Sequence, residues 1–221
     1  MIRQLIIGFT TEGTTDVRFL ESVIQRSFEG IAFECDGQIE VLPVQYIKKQ
    51  SGSFVTVVQT CAQQAQEQGV MVLCIHTDAD DIADTNAFDY KISPAFTSIN
   101  NMREDNLCNN LVAIVPVQMT EAWMLSDKRL LKSEIGTSKS DIELGIHRPP
   151  EDYSDPKQAI EEAIRIARQD LPRHRRRELS IGELYSIIGQ KIELDMLANL
   201  PSYQKFKAAV RNAFRRLNYL H

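Results

Sequence analysis

Over the first 120 residues, apolar and polar positions fall into blocks whose spacing alternates between that of strands and that of helices. Leu5 to Phe9 is a short apolar run that predicts a strand, and Thr14 to Phe28 follows with Val17, Phe19, Leu20, Val23, Ile24 and Phe28 near helical spacing. After the turn signal Asp36-Gly37, Ile39 to Val44 has the Ile/Val/Leu content of a second strand. Ser53 is placed to cap a helix running to Gln68, with Gly69 as its stop. Val70 to Ile75 is wholly apolar, as a parallel strand buried on both faces must be. A helix around Phe96 to Arg103 and a strand from Leu111 to Val117 complete a β-α-β-α-β-α-β order, which predicts an α/β fold with a doubly wound, mainly parallel sheet.

Beyond residue 120 the strand pattern stops. Glu121 to Leu131 reads as a helix and Gly136 to Pro150 as a loop. Asp155-Pro156 is a helix start that combines a capping side chain with proline at the first helical position. The apolar stripe Ala159, Ile160, Ala163, Ile164 and Ala167 follows it, with Glu161 and Arg165 spaced to pair at i,i+4. Ile181 to Leu194 and Tyr203 to Leu217 predict two further helices. The expected organisation is an α/β domain over 1–120 with an all-helical region, 121–221, packed on it.

Composition narrows the class. Of 221 residues, 43% are hydrophobic and 25% charged, ordinary for a soluble globular protein. No apolar run approaches the roughly 18 residues of a membrane span, and Met1-Ile2-Arg3-Gln4 leads straight into the first strand, so neither membrane insertion nor a signal peptide is expected. Cys35, Cys61, Cys74 and Cys108 lack metal-knuckle spacing and read as thiols of a cytoplasmic protein. The net charge of −5 is uneven: residues 151–221 hold 13 Lys plus Arg against 10 Asp plus Glu, so the first 150 residues carry the acidic excess. An acidic half beside a more basic one suits a metal site next to a phosphate-facing surface.

The candidate chemistry lies at predicted strand ends. Glu12-Gly13-Thr14-Thr15-Asp16 follows the first strand, Asp78-Ala79-Asp80-Asp81 the third, and Glu121 the fourth. Parallel strands joined through helices finish at one edge, so these carboxylates are expected to converge, and a divalent cation is the usual relief of their repulsion. Asp78 and Asp80 are the expected metal ligands, Glu12 a ligand or general base, and Asp16 a ligand or a carboxylate favouring a helix N-terminus. Glu121 is either a site residue or a helix-start acid backed by Trp123 and Leu125. Asp81 and Asp84 are expected nearby as supporting or solvated acids. The hydroxyl-rich turn Thr10 to Thr15 offers N–H groups that suit a phosphate, although no Gly-x-x-x-x-Gly-Lys-Ser/Thr loop is present. His76 reads as structural, and His147, His174 and His221 show no ligand spacing. Arg173, Arg175, Arg176 and Arg177, with Lys205, Lys207, Arg211, Arg215 and Arg216, are either phosphate contacts or a solvated helix face.

Glu12-Gly13 after the first strand and Asp78-x-Asp80 after the third resemble the signature of the Toprim domain of topoisomerases, primases and old-type nucleases, over roughly residues 4–118. The Glu-x-x-x-Asp spacing of Glu12 and Asp16 resembles the overcoming-lysogenization-defect nucleases, in which both acids help to hold metals. Thr120-Glu121-Ala122-Trp123 and the helical tail are similar to small bacterial Toprim-like proteins found beside ATPases in mobile or defence operons. The resemblance implies a Toprim-like sheet and a Mg²⁺- or Mn²⁺-dependent nuclease, with Glu12, Asp78 and Asp80 catalytic and Glu12, Asp16, Asp78, Asp80 and Glu121 around the metal. It also implies a nucleic-acid substrate, DNA before RNA, and an ATPase partner in phage defence. The rival expectations are a non-catalytic subunit of an ATPase complex and an enzyme acting on a nucleotide-sugar or other small phosphate.

Overall fold

The computed structural model describes residues 2–102, 106–172 and 179–221. Its centre is a set of parallel strands. β1 (Arg3–Leu5) pairs with β3 (Ile39–Val41), while β2 (Ile7–Thr10) lies between β4 (Gln45–Tyr46) and β5 (Val72–His76), with β6 (Leu111–Ile114) beyond β5. Only Ile6 separates β1 from β2, and its carbonyl accepts from Met71 N at 2.9 Å. The chain leaves β2 through α1 (Thr14–Ala32) toward β3 and β4. It then crosses back through α2 (Phe54–Glu67) to β5, and reaches β6 through α3 (Thr85–Ala87), a π-helical turn (Phe88–Ile92) and α4 (Ser93–Asn101). The direction of winding therefore reverses between β2 and β5, and the crevice beyond their carboxyl ends is where open parallel sheets bind ligands.

Strand alternation sorts the core into two layers. Ile7, Phe9, Val72, Cys74, Val112 and Ile114 join α1 and the C-terminal helices, whereas Leu73, Ile75, Leu111 and Ala113 join α2 and α4. Both faces of the sheet are thus covered, which is why β2, β5 and β6 are buried at every position. This bears out an α/β architecture with parallel pairing. Cys61, Cys74 and Cys108 are buried free thiols and Cys35 is half-buried. No helix among the described residues is long and apolar enough to cross a membrane.

Several boundaries differ from expectation for local reasons. The run Ile39 to Val44 is split before Pro43, which has no N–H for a ladder. β6 ends at Ile114, two residues before Pro116. The helix expected over Glu121 to Leu131 is two, α5 (Thr120–Met124) and α6 (Lys128–Ile135), because Asp127 turns its carboxylate to cap Leu130 N at 2.9 Å. α7 (Pro156–Ala167) starts as expected, with Asp155 accepting from Gln158 N at 2.8 Å, but Arg165 pairs with Glu162 rather than Glu161.

The remaining helices, α8 (Ile181–Lys191), α9 (Leu194–Leu197) and α10 (Pro201–Arg216), close the first layer. Trp123, fully buried on α5, meets Tyr203 edge-on at 5.3 Å and donates through Nε1 to Ser202 Oγ at 2.7 Å. The backbones of α1 and α8 touch at Gly189, where an added Cβ would stand 2.6 Å from the Phe19 carbonyl oxygen and 2.9 Å from Phe19 Cα. Arg26 seals the crossing by donating to the carbonyls of Gly189 and Ile192, both at 2.6 Å.

Gly189→Ala therefore opposes two effects. Helix propensity alone would stabilise the chain by about 1 kcal/mol, whereas overpacking against a backbone costs about 1–3 kcal/mol. Net destabilisation is expected in urea or thermal melts, and an unchanged or higher midpoint would show that α1 and α8 do not meet this closely.

Candidate metal centre

The acidic residues after β2 and β5 meet because those strands are hydrogen-bonded neighbours, with Thr10 opposite Ile75. Past β5 the chain runs on as an extension of the sheet: Thr77, Ala79 and Asp80 donate their N–H groups to the carbonyls of Ile114, Pro116 and Gln118 at 3.1, 3.0 and 2.9 Å. Gln118 N returns a bond to Asp81 O at 3.0 Å. Asp80 and Gln118 both adopt left-handed backbone, with φ of 53° and 59°. Aspartate tolerates that region better than most residues and glutamine less well, so the reversal holds local strain at the edge of the crevice.

Two groups of side chains result. The inner group is Asp16, His76 and Asp78, each offering a ligand atom within 4.8 Å of the others. Asp16, on the first turn of α1, accepts from Gly13 N at 2.9 Å, so the turn that was expected to suit a phosphate is closed by the chain's own carboxylate. Asp78 Oδ1 accepts from Thr120 N at 2.9 Å and lies 3.3 Å from His76 Nε2. The outer group is Glu12 and Asp80, with Lys91 from the π-helical turn between them at 3.7 and 3.6 Å. Glu12 Oε2 also accepts from Thr77 Oγ1 at 2.6 Å and from Asp78 N at 3.3 Å, which joins the two groups.

Electrostatics differ between the groups. Burial raises the Asp16 carboxyl above the usual carboxylate range; His76 works against this and Asp78 adds to it. For His76, burial disfavours the charged ring, but Asp78, Asp16 and Glu12 outweigh it and raise the pKa. Glu12 N–H, however, points at Nδ1 from 3.3 Å, which requires that nitrogen to accept and places the ring proton on Nε2, toward Asp78 and Thr120. A charged ring would lose that contact. A cation held by the carboxylates would remove their pull on the proton and leave the neutral ring that Glu12 N–H requires. In that tautomer neither ring nitrogen has a lone pair free for an ion, so the donors offered are the carboxylate oxygens of Asp16 and Asp78, steadied by His76, and an oxygen set fits a hard divalent ion.

The other expected residues have different surroundings. Glu121 is buried and accepts a short hydrogen bond from the Tyr185 hydroxyl on α8, facing the helical layer. Burial raises its pKa against the lowering effect of that bond. Trp123 and Leu125 are fully buried behind it. Asp81 holds Ile82 N at 2.7 Å and Asn86 at 3.0 Å, and Asp84 is paired with Lys205 at 2.6 Å, so both brace the loop. Among the basic residues of α10, Arg211 forks onto Glu34 with two bonds of 2.7 Å and Arg216 donates to Leu111 O at 3.0 Å. Lys205, Arg211 and Arg216 are thus engaged within the fold. Arg173, Arg175, Arg176 and Arg177 lie outside the described residues. Sequence reasoning missed Lys91 and Lys49, whose ammonium groups reach Glu12's carboxylate and its carbonyl oxygen. Neither sits in a motif, and no spacing rule could have found them.

Asp16→Asn removes a buried charge and one ligand atom. The variant should melt no lower than the parent in chelator yet lose the stabilisation that Mn²⁺ gives, about 2.7 kcal/mol at a hundredfold excess over Kd; a parent-like Mn²⁺ shift would exclude Asp16 as a ligand. Glu121 offers a pH test. Its folded pKa is raised, so its contribution to stability is present at low pH and is lost as pH rises through the folded value. Glu121→Gln should therefore gain on the parent as pH rises from the ordinary glutamate range toward and past neutrality, in chelator. A constant difference across that range would show that Glu121 does not titrate inside the fold.

Compared with protein-family models, with curated proteins and with solved structures, the chain matches none.

Proposed function

We propose that the chain is a Toprim-like, divalent-metal-dependent phosphodiesterase acting on nucleic acid, DNA before RNA. The observation that carries the reading is the meeting of Glu12 with the Asp78–Asp80 loop beyond the carboxyl ends of β2 and β5, joined by the 3.3 Å bond from Asp78 N to Glu12. A Glu-Gly after the first strand and an Asp-x-Asp after the third, on a parallel sheet, support the Toprim-like assignment. The lack of a matching family leaves the assignment to rest on these residues.

Exposure divides the roles. The Asp16 side chain is 8% exposed and Asp78 20%, whereas Glu12 and Asp80 are 46% and 65% exposed. Asp16 and Asp78, steadied by His76 and Thr120, suit the holding of an ion. Glu12 and Asp80 stand where substrate and water can reach them. A divalent cation, when bound, supplies neutralisation of the phosphate charge and acidifies water. In hydrolysis a water oxygen attacks phosphorus, Glu12 accepts the water's proton, and the departing sugar oxygen is protonated from solvent. Lys91, freed from the two carboxylates it bridges, can turn to a phosphate oxygen.

The same Lys91 supports a second reading. Its ammonium already balances Glu12 and Asp80 without an ion, as a non-catalytic subunit of an ATPase complex would need. One assay separates the two. The purified chain should cleave polynucleotide in Mg²⁺ or Mn²⁺, and Glu12→Gln and Asp78→Asn should each lower the rate by about a hundredfold or more. Absence of metal-dependent cleavage by the parent, or parent-like rates in both variants, would leave the adaptor reading in its place.

A further inference from the structure

Beside Glu12, on the α2 side of the crevice, lies a cavity of about 350 Å³ lined by Glu12, Lys49, Lys91, Gln50, Phe54 and Val57 among others. That is the low end of the range for small-molecule sites, and it accommodates one ligand of that size rather than a stretch of duplex. We infer that this cavity binds a single nucleotide bearing a terminal phosphate monoester, with the phosphate between Lys49 and Lys91 and the sugar and base against Phe54 and Val57. The inference rests on the phosphodiesterase reading only in naming the strand end as the source of that nucleotide.

Three observations support it. The first is charge. The segment Lys48 to Phe54 contains no acid, and among the described residues Glu12 is the only carboxylate on the wall. Each ammonium has three donors. Lys49 donates to Glu12 O, and Lys91 donates to Thr77 Oγ1 at 3.0 Å while lying 3.7 and 3.6 Å from Glu12 and Asp80, so a bound phosphate takes the remaining donors of Lys49 and draws Lys91 from those two carboxylates. A phosphate monoester carries a charge of about −1.5 to −2 at neutral pH, which two lysines match better than the single charge of an internal diester. The second is the opposite wall. Phe54, Val57, Val58 and Ile75 give it an apolar surface, of which Phe54 and Val57 are only half-buried. Stacking of a base on an aromatic face is indifferent to which base it is. The third is the lack of a competing seat. The start of α1, the other place where a phosphate was expected, is closed by Asp16 on Gly13 N. At the start of α2 Ser53 Oγ meets Thr56 N at 3.3 Å and Thr56 Oγ1 at 2.8 Å, and the turn opens into the cavity through Phe54. A nucleotide seated here has its phosphate next to Glu12, so the residue handled by the acids is the last of a strand and the site is directed to ends.

The test is calorimetric and uses the full chain in chelator, which removes any metal contribution. A deoxynucleoside 5′-monophosphate, the matching nucleoside and inorganic phosphate are the free probes. A short single-stranded oligonucleotide, with and without a terminal phosphate, is the strand probe. The monophosphate should bind at least tenfold tighter than the nucleoside, and the phosphorylated oligonucleotide tighter than its dephosphorylated form. Lys49→Gln, a change at an exposed residue, should weaken monophosphate binding by about tenfold. Val57→Trp should block it by filling the cavity, with a parent-like melting curve confirming the fold. Equal binding of monophosphate and nucleoside, or parent-like monophosphate binding by both variants, would overturn the inference. Binding of the monophosphate but no discrimination between the two oligonucleotides would overturn the strand end as source and leave a free mononucleotide. A chain that binds the monophosphate as described but cleaves no polynucleotide with metal would refute the phosphodiesterase reading and leave the cavity's ligand standing. A chain that cleaves but fails the binding test would do the reverse.

Discussion

The pairing of β2 with β5 is the constraint on which everything functional in this chain depends. Four consecutive partners, Ile7 to Val72 through Thr10 to Ile75, put residues more than sixty positions apart in sequence side by side at one edge. Because the chain winds outward in opposite directions from these two strands, a crevice is left beyond their carboxyl ends. Acids placed after each strand must then face each other, and the protein has to neutralise them. It does so in three ways: with Lys91 between the outer pair, with His76 between the inner pair, and with backbone N–H groups from Gly13, Asp78 and Thr120.

How much of this was legible depends on where the controlling physics lies. Apolar runs buried on two faces announce themselves, and β2, β5 and β6 fall where the runs do. Glu12, Asp16, Asp78 and Asp80 were legible for the same reason, since strand ends locate them. His76 was harder, because its role arises from two carboxylates that reach it from different elements. Lys91 and Lys49 were illegible: each is an ordinary lysine until the fold brings its ammonium to Glu12. The Glu121 helix was misread because an apolar period continues across Asp127, and only the direction of that one carboxylate breaks it. Asp81 and Asp84, expected nearby as supporting or solvated acids, serve Asn86 and Lys205.

The site also divides by exposure in a way that sequence does not encode. The inner acids sit in low dielectric, where burial itself raises the Asp16 carboxyl. The outer acids are solvated. On the proposed reading, an arrangement with one sheltered pair and one accessible pair would separate holding an ion from meeting a substrate, and the apolar wall of Phe54 and Val57 shares a cavity with Glu12 of the accessible pair.

One feature of the packing bears on how the molecule is made. The sheet face carrying Ile7, Phe9, Val72 and Cys74 shares its core with α1 and the C-terminal helices, so part of its cover comes from the far end of the described chain. Ser27 meets Tyr203 across 176 positions, Glu34 meets Arg211 across 177, and Arg3 reaches Asn218 across 215. During synthesis the strands would emerge long before the helices that shield them, exposing an apolar face in the interval, and closing such distant contacts is slow. The acidic loop shares this schedule, since Asp84 gains its lysine only when residue 205 arrives. The Asp84–Lys205 tether therefore cannot form before α10 is made, and a chain stalled short of α10 would leave part of the apolar sheet face open and the loop without its lysine.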